Sequence, residues 1–463
     1  MSIAGPPVKG DDDEFGVDPS VFEPGLFGRL TPSAVRRMWG AFDGLATDTL
    51  WSAALDFLAV VAALVSFALI TKSLPLASYG AFAGLYGLAT TFSAITYSGP
   101  GLALIQRRLR FNQDLNDIQA SFLSLTVIAG LISSALAVAL AMLVIDLTFM
   151  EILLVTASEL FANSIILVCS WLVQAAIGFP SMIRVRMFAV VLKLVAVPAL
   201  YFAGALSILS LGASYLVLYS AFALWLIFFY LPRIGYTVRF RRPPVDVIRS
   251  SSVFAVPLAA SQVQLDGDKV ALNAFNLQAD AGLYAAAYRV VLLGSLPLRV
   301  VGQAAFHRFL PRDADDRPGY HLQRAAKLTA FMFALGLAVS GAIYLLLNVG
   351  EPLLDLLIEE EYAEAKSIIP WLVLFIPLLA ISGTPTNGLL GLGRTRERAV
   401  VYLSSALVSV LLYVLLIPGN GWQGAVAATL ISEAYLAVVS WVAMIHYQRI
   451  ADGEYRDRQP VGA

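Results

Sequence analysis

The sequence predicts an all-α, polytopic membrane protein of about twelve transmembrane helices, arranged as two six-helix lobes of the same topology. Three observations carry the prediction. The 463 residues are 59% apolar and 14% charged, with a mean hydropathy of +0.76, whereas soluble domains are about 45–50% apolar and about 25% charged. Apolar stretches of about 20 residues, the length that crosses a bilayer as a helix, recur along the chain. Lys and Arg then gather on one side of the alternating loops.

Residues 1–47 contain "GPPVKGDDDEFGVDPSVFEPG", an acidic, Pro/Gly-rich run with the composition of a disordered tail. No cleavable signal peptide is expected, and "LFGRLTPSAVRRMWGAF" (26–42) reads as an amphipathic helix on the membrane surface. Spans follow at roughly 48–72, 80–104, 121–145, 151–175, 187–206, 209–231, 250–274, 281–306, 326–349, 367–390, 399–417 and 423–446. One set of alternate loops, together with both termini, holds 25 of the 31 Lys and Arg, and the other set holds Lys72 and Lys366. Basic residues stay on the cytoplasmic side, so both termini are expected there, in the cytoplasmic (inner) membrane. The chain thus divides into a cytoplasmic tail (1–47), a first lobe (48–231), a basic linker (232–249), a second lobe (250–446) and a cytoplasmic tail (447–463).

The longest loop on the opposite side, "VGEPLLDLLIEEEYAEAK" (349–366), is acidic and short, with no room for an enzyme's catalytic domain. Cys169 is the only cysteine, and His307, His321 and His446 lack metal-ligand spacing. No disulfide, metal site or cofactor is expected, and no catalytic residue.

Helix two begins "SYGAFAGLYGL" (78–88) and helix eight "DAGLYAAAYRV" (280–290). A shift of 202 residues lays Gly80, Phe82, Ala83 and Tyr86 on Gly282, Tyr284, Ala285 and Tyr288, and carries helix one onto helix seven. Parallel repeats of this kind place a substrate site near the midplane between the lobes.

"GLYAAAYR" (282–289) after a polar seventh helix resembles the signature of polysaccharide-biosynthesis flippases in the multidrug/oligosaccharidyl-lipid/polysaccharide exporter superfamily. "SYGAFAGLYGLATTFSAITYSGPGLALIQR" (78–107) is similar to their second helix. "LLDLLIEEEYAEAKSIIPWLVL" (353–374) and "GLLGLGRTRERAV" (388–400) resemble the entry to their tenth helix and the basic turn after it. The resemblance runs from about residue 48 onward and leaves out the acidic tail. It implies a V-shaped transporter that turns lipid-linked oligosaccharides from the inner to the outer leaflet.

The stretch "QVQLDGDKVALNAF" (262–275) puts three charges into a predicted span, where each costs about 2.5–3.5 kcal/mol at the bilayer centre. Gln262, Asp266, Lys269 and Asn273 recur on one helical face. At 1.5 Å per residue, Arg289 of helix eight and Glu159 of helix four fall at the depth of Asp266. Three readings are open. Asp266 neutralises Arg289 or Lys269 structurally; or Lys269 and Arg289 face a cavity and bind a diphosphate headgroup while Asp266 keeps them in register; or Asp-Gly-Asp holds a metal in an enzyme.

A second layer is expected in the inner half, where Asp56 of helix one and Lys193 of helix five form a structural pair, or Lys193 snorkels, or the two belong to a secondary cavity or coupling site. Arg299 snorkels there or helps capture substrate. Glu433, in "ISEAYL" (431–436), lacks an evident basic partner and is a candidate for ion or proton coupling.

The expected function is a non-enzymatic flippase for a polyprenyl-diphosphate-linked glycan, working by alternating access. Its expected partners are that substrate, membrane lipids and other polysaccharide-assembly proteins, with no nucleic acid. A drug/cation antiporter would show a cavity of acids and aromatics. A membrane glycan polymerase or ligase would need a long catalytic loop on the outer side.

Overall fold

The computed structural model describes residues 32–109, 111–236, 240–306, 319–349 and 360–458, among which there are helices and turns but no strand. Residues 1–31, much of the expected tail, lie outside this description, as do His307 and residues 350–359 of the acidic loop. Residues 32–47 are helical and run without a break into the first span.

Among the described residues, twelve helices build the fold. In order, α1 is Pro32–Thr71, α2 runs through Leu76–Ser93, Ala94–Ser98 and Gly99–Leu109, α3 is Leu115–Val144 and α4 is Phe149–Ile177. Next come α5 (Phe179–Phe202), α6 (Ile208–Arg233), α7 (Val245–Ala274), α8 (Gln278–Gly294 and Leu296–Phe306), α9 (Tyr320–Val349) and α10 (Ala365–Gly391). The helix Thr395–Arg458 breaks at Gly421, whose φ of 54° is a glycine conformation, into α11 (395–420) and α12 (422–458). Eight helices are long and apolar enough to cross a membrane by length and composition, the last of them holding two spans. In α2, α7 and α8 the charges of α7, a π-helical turn (Ala94–Ser98) and the break after Gly294 interrupt the apolar runs.

Local chemistry sets several of the helix starts. Asp114 caps α3 by accepting from the Asn116 backbone N–H at 3.0 Å, and Thr148 and Glu151 form a reciprocal capping box at the start of α4. One start differs from expectation. Helix five begins at Phe179 rather than 187, because Gly178 (φ 123°) turns the chain in a single residue. Arg184 and Arg186, expected in a loop, are therefore helical.

The repeat is visible as a contact between equivalent residues. A Cβ on Gly80 would overlap the Gln278 carbonyl, and one on Gly282 would overlap the Leu76 carbonyl. The shift of 202 residues turns Leu76 into Gln278 and Gly80 into Gly282. Each residue thus meets its partner's equivalent, as across a two-fold axis.

The two lobes meet unequally. On one side α7 packs antiparallel along α2, from Asn273 beside Gly84 down to Ser251 beside Gly99. On the other side α1 packs on α5, with no comparable seam to α8. The second half of α8 turns instead to α9 and α10. The end of the molecule away from the basic loops is tied across the lobes. Glu361 Oε1 accepts from the Leu76 backbone N–H at 2.9 Å, and the buried Tyr362 donates to the Leu74 carbonyl at 3.0 Å. Glu361 supplies a cap for α2 that Pro75 at its start lacks.

Candidate functional site

The polar stretch of α7 is a single helix through Gly267, and its charges close on themselves. Lys269 Nζ lies 2.9 Å from Asp266 Oδ1 and 3.1 Å from Asp268 Oδ1, with the Tyr288 ring centroid at 4.1 Å and Tyr284 at 5.8 Å. Tyr284 donates its hydroxyl to Asp268 Oδ2 at 2.5 Å, and Thr429 donates to the same oxygen at 3.2 Å. Asp268 is fully buried and Lys269 nearly so. A buried carboxylate is tolerated where its lone pairs are filled, and here three side chains of three helices fill them.

Asp266 reaches the first lobe as well, accepting from Thr90 of α2 at 2.9 Å. Of the two partners expected for it, it takes Lys269. No carboxylate among the described residues stands within ion-pairing distance of Arg289. The half-buried Arg289 guanidinium instead lies next to Tyr79 and Tyr86 of α2, and Asp266 acts on it electrostatically. It therefore sits at the seam between the lobes.

Two expectations on α7 change. Gln262 is half-buried with no hydrogen bond to a neighbour, whereas Gln264 is 3% exposed and central to a polar network. Its Nε2 donates to Glu433 Oε2 at 2.8 Å, its Oε1 accepts from Ser405, and its carbonyl accepts from Tyr413. Ser382 also donates to Glu433. Asn273 is spent on packing: its Nδ2 donates to the carbonyls of Gly80 and Lys269 at 2.9 and 2.8 Å.

The pairing of Asp56 with Lys193 is corrected. Lys193 Nζ lies 2.7 Å from Glu159 Oε1, ringed by Tyr86, Tyr215 and Tyr219 with centroids 5.3–5.8 Å away. The early start of α5 is the reason. Lys193 is fourteen residues from Phe179, about 21 Å into the helix, so it meets Glu159 rather than the inner layer. Glu159 itself lies on a π-helical segment of α4, Ala157–Asn163. Such insertions re-aim side chains and are frequent at functional positions. Asp56 instead faces Arg299 electrostatically across the parted α1 side. Arg299 also borders a pocket of about 130 Å³ with Gly383, Thr384 and Asn387.

Sequence reasoning missed Arg186. It lies in α5, with its Nε 3.0 Å from Ser170 Oγ and its guanidinium carbon 4.6 Å from the Trp171 ring centroid. A span that begins at 187 leaves it in the preceding loop.

Comparison with known proteins agrees with this architecture. A search of curated proteins finds no match. Among solved structures, a MOP superfamily transporter from Pyrococcus furiosus, whose binding pocket is described as of reversed polarity, superposes with a TM-score of 0.62 at 14% identity. That match covers 88% of this chain and 95% of the other. The MATE multidrug transporter DinF-BH superposes with a TM-score of 0.62 at 15% identity, covering 93% and 98%. An outward-facing multidrug resistance MATE family transporter gives 0.60 at 14%, covering 89% and 95%. At such identities the likeness is one of fold. The family model for polysaccharide biosynthesis proteins matches residues 45–309, more than half of the chain. This chain is a multi-pass membrane protein that belongs to the polysaccharide biosynthesis protein family and has the fold of MOP superfamily transporters.

Proposed function

We propose that the protein is a flippase that moves an isoprenoid-diphosphate-linked glycan from the inner to the outer leaflet by alternating access of its two lobes. The observation that carries this is Arg289. It is a cation at the seam of the lobes, and Asp266, the acid that acts on it electrostatically, is already held by Lys269. A guanidinium with free donors matches the paired oxygens of a diphosphate. The parted α1–α8 side supports the reading, since a polar headgroup could occupy the space between the lobes while its lipid tail stays in the bilayer. With the basic loops in the cytoplasm, the tie of residues 361–362 to α2 closes the outer end, so this state opens inward.

A drug/cation antiporter shares the fold, and the carboxylates favour the flippase reading. Glu159 and Asp268 are each engaged by a lysine, which leaves them poorly disposed to bind an organic cation.

The test is flipping of a fluorescent polyprenyl-diphosphate disaccharide in proteoliposomes. Arg289→Gln should abolish flipping while the protein melts within a few degrees of the parent, and Arg289→Lys should restore part of it. Export of a cationic dye by the parent, unaffected by Arg289→Gln, would establish the antiporter instead. Cleavage or polymerisation of the glycan would establish an enzyme.

A further inference from the structure

Four cations deep in the spans have an acid beside them. Lys193 has Glu159, Lys269 has Asp266 and Asp268, Arg289 feels Asp266 electrostatically, and Arg299 faces Asp56. Arg186 has none among the described residues. It is seven residues into α5, about 10 Å from the end that carries the basic loops.

Arg186 does not reach back toward that end. Ser170 of α4 holds its Nε, the Trp171 ring covers one face, and Tyr97 of α2 is its remaining electrostatic neighbour. Its Nη2 is buried with no hydrogen-bond partner. Tyr97 belongs to the π-helical turn of α2, which Thr96 ties to Ser164 of α4 at 2.8 Å. A cation at this depth is costly unless something compensates it. A cation–π contact and one hydroxyl compensate only a small part.

Arg186 and Lys193 are seven residues apart, two turns of one face of α5. Above them Lys193 reaches Tyr86, which also neighbours Arg289. The cations thus lead from the basic end to the seam, Arg186 first and then Lys193 and Arg289 at a common depth.

We infer that Arg186 is an anion site that takes the phosphate of a lipid headgroup in the inner half of the first lobe, as a loading position below Arg289. The loading role rests on the proposed function; the anion site stands on its own geometry. Two sources share this chemistry, the isoprenyl diphosphate substrate and an anionic phospholipid.

The experiment uses the full-length protein in phosphatidylcholine nanodiscs, titrated with geranylgeranyl diphosphate and followed by tryptophan emission, with Trp171 as the reporter. A saturable change is expected that Trp171→Phe removes. Arg186→Gln should shift it about tenfold or more to higher concentration, the loss expected for a charge-assisted hydrogen-bond pair. Arg186→Lys should fall between, which excludes misfolding as the cause. Geranylgeraniol, which lacks phosphate, should give no response. Nanodiscs containing phosphatidylglycerol separate the sources: an unchanged titration assigns the site to the diphosphate, and a lost one assigns it to the phospholipid. Equal midpoints for parent and Arg186→Gln, or no response of the parent to either phosphate lipid, would overturn the site. An Arg186-dependent response without flipping in proteoliposomes would remove the flippase reading and leave the anion site in place.

Discussion

The two lobes each bury a lysine among tyrosines, but they build the arrangement from different helices. In the first lobe Lys193 of α5 meets Glu159 of α4 and the Tyr86 ring of α2. In the second, Lys269 of α7 meets Asp266 and Asp268 of its own helix and the Tyr288 ring of α8. Tyr86 and Tyr288 are equivalents under the shift of 202 residues, while the lysines are not. The backbone kept its two-fold relation, as the reciprocal contacts of Gly80 and Gly282 show, and the charges diverged upon it. The first-lobe pair is balanced one to one and the Lys193 side chain is 26% exposed, whereas in the second a lysine 8% exposed serves two carboxylates. The first site is the more open of the two, and we expect it to be the one that rearranges. The second is a fixed post.

Breaking the second cluster should therefore cost most. Lys269→Met leaves the buried Asp268 carboxylate beside the partly exposed Asp266, and we expect a loss of about 3–5 kcal/mol, read as a collapse of melting temperature in detergent. The triple change with Asp266→Asn and Asp268→Asn should recover much of it. Lys193→Met should cost less, about 1–3 kcal/mol, because Glu159 keeps its bond from Asn163 and gains water from the cavity. Equal melting shifts for the two lysine variants would end the distinction between a fixed and an adjustable site.

The two-fold relation is tested at its axis. Gly80→Ala and Gly282→Ala each drive a methyl into a backbone carbonyl, and both should destabilise by about 1–3 kcal/mol, to similar extents. A large loss at one and none at the other would break the symmetry.

The smallest effects separate the equivalent tyrosines. Tyr86→Phe removes a hydroxyl 3.4 Å from Lys193 Nζ and should cost up to about 1 kcal/mol. The Tyr288 hydroxyl is buried without a partner, so Tyr288→Phe should be neutral or slightly stabilising by thermal melt.

Membrane class, helix number and the internal repeat were legible because they rest on composition, on period and on spacing, which are local along the chain. Asp266, Lys269 and Arg289 were visible as unusual positions, since charge within an apolar run stands out whatever it touches. The pairings were not legible. Depth counted from an expected helix end put Lys193 eight residues too near the basic end, and a single residue, Gly178, accounts for the difference. Face counting chose Gln262 over Gln264, although the buried network needed the latter.

What the amino-acid order determined alone is that this chain crosses a membrane many times, in two similar lobes, with charges that lipid would not tolerate unpaired. Desolvation imposes that on any fold the chain could take. Only the tertiary structure decided which acid meets which base. An ion pair depends on side chains from helices far apart in sequence arriving at the same height and angle. A π-helical turn in α4, an early start to α5 and a glycine crossing between α2 and α8 move those heights and angles without altering the apolar pattern.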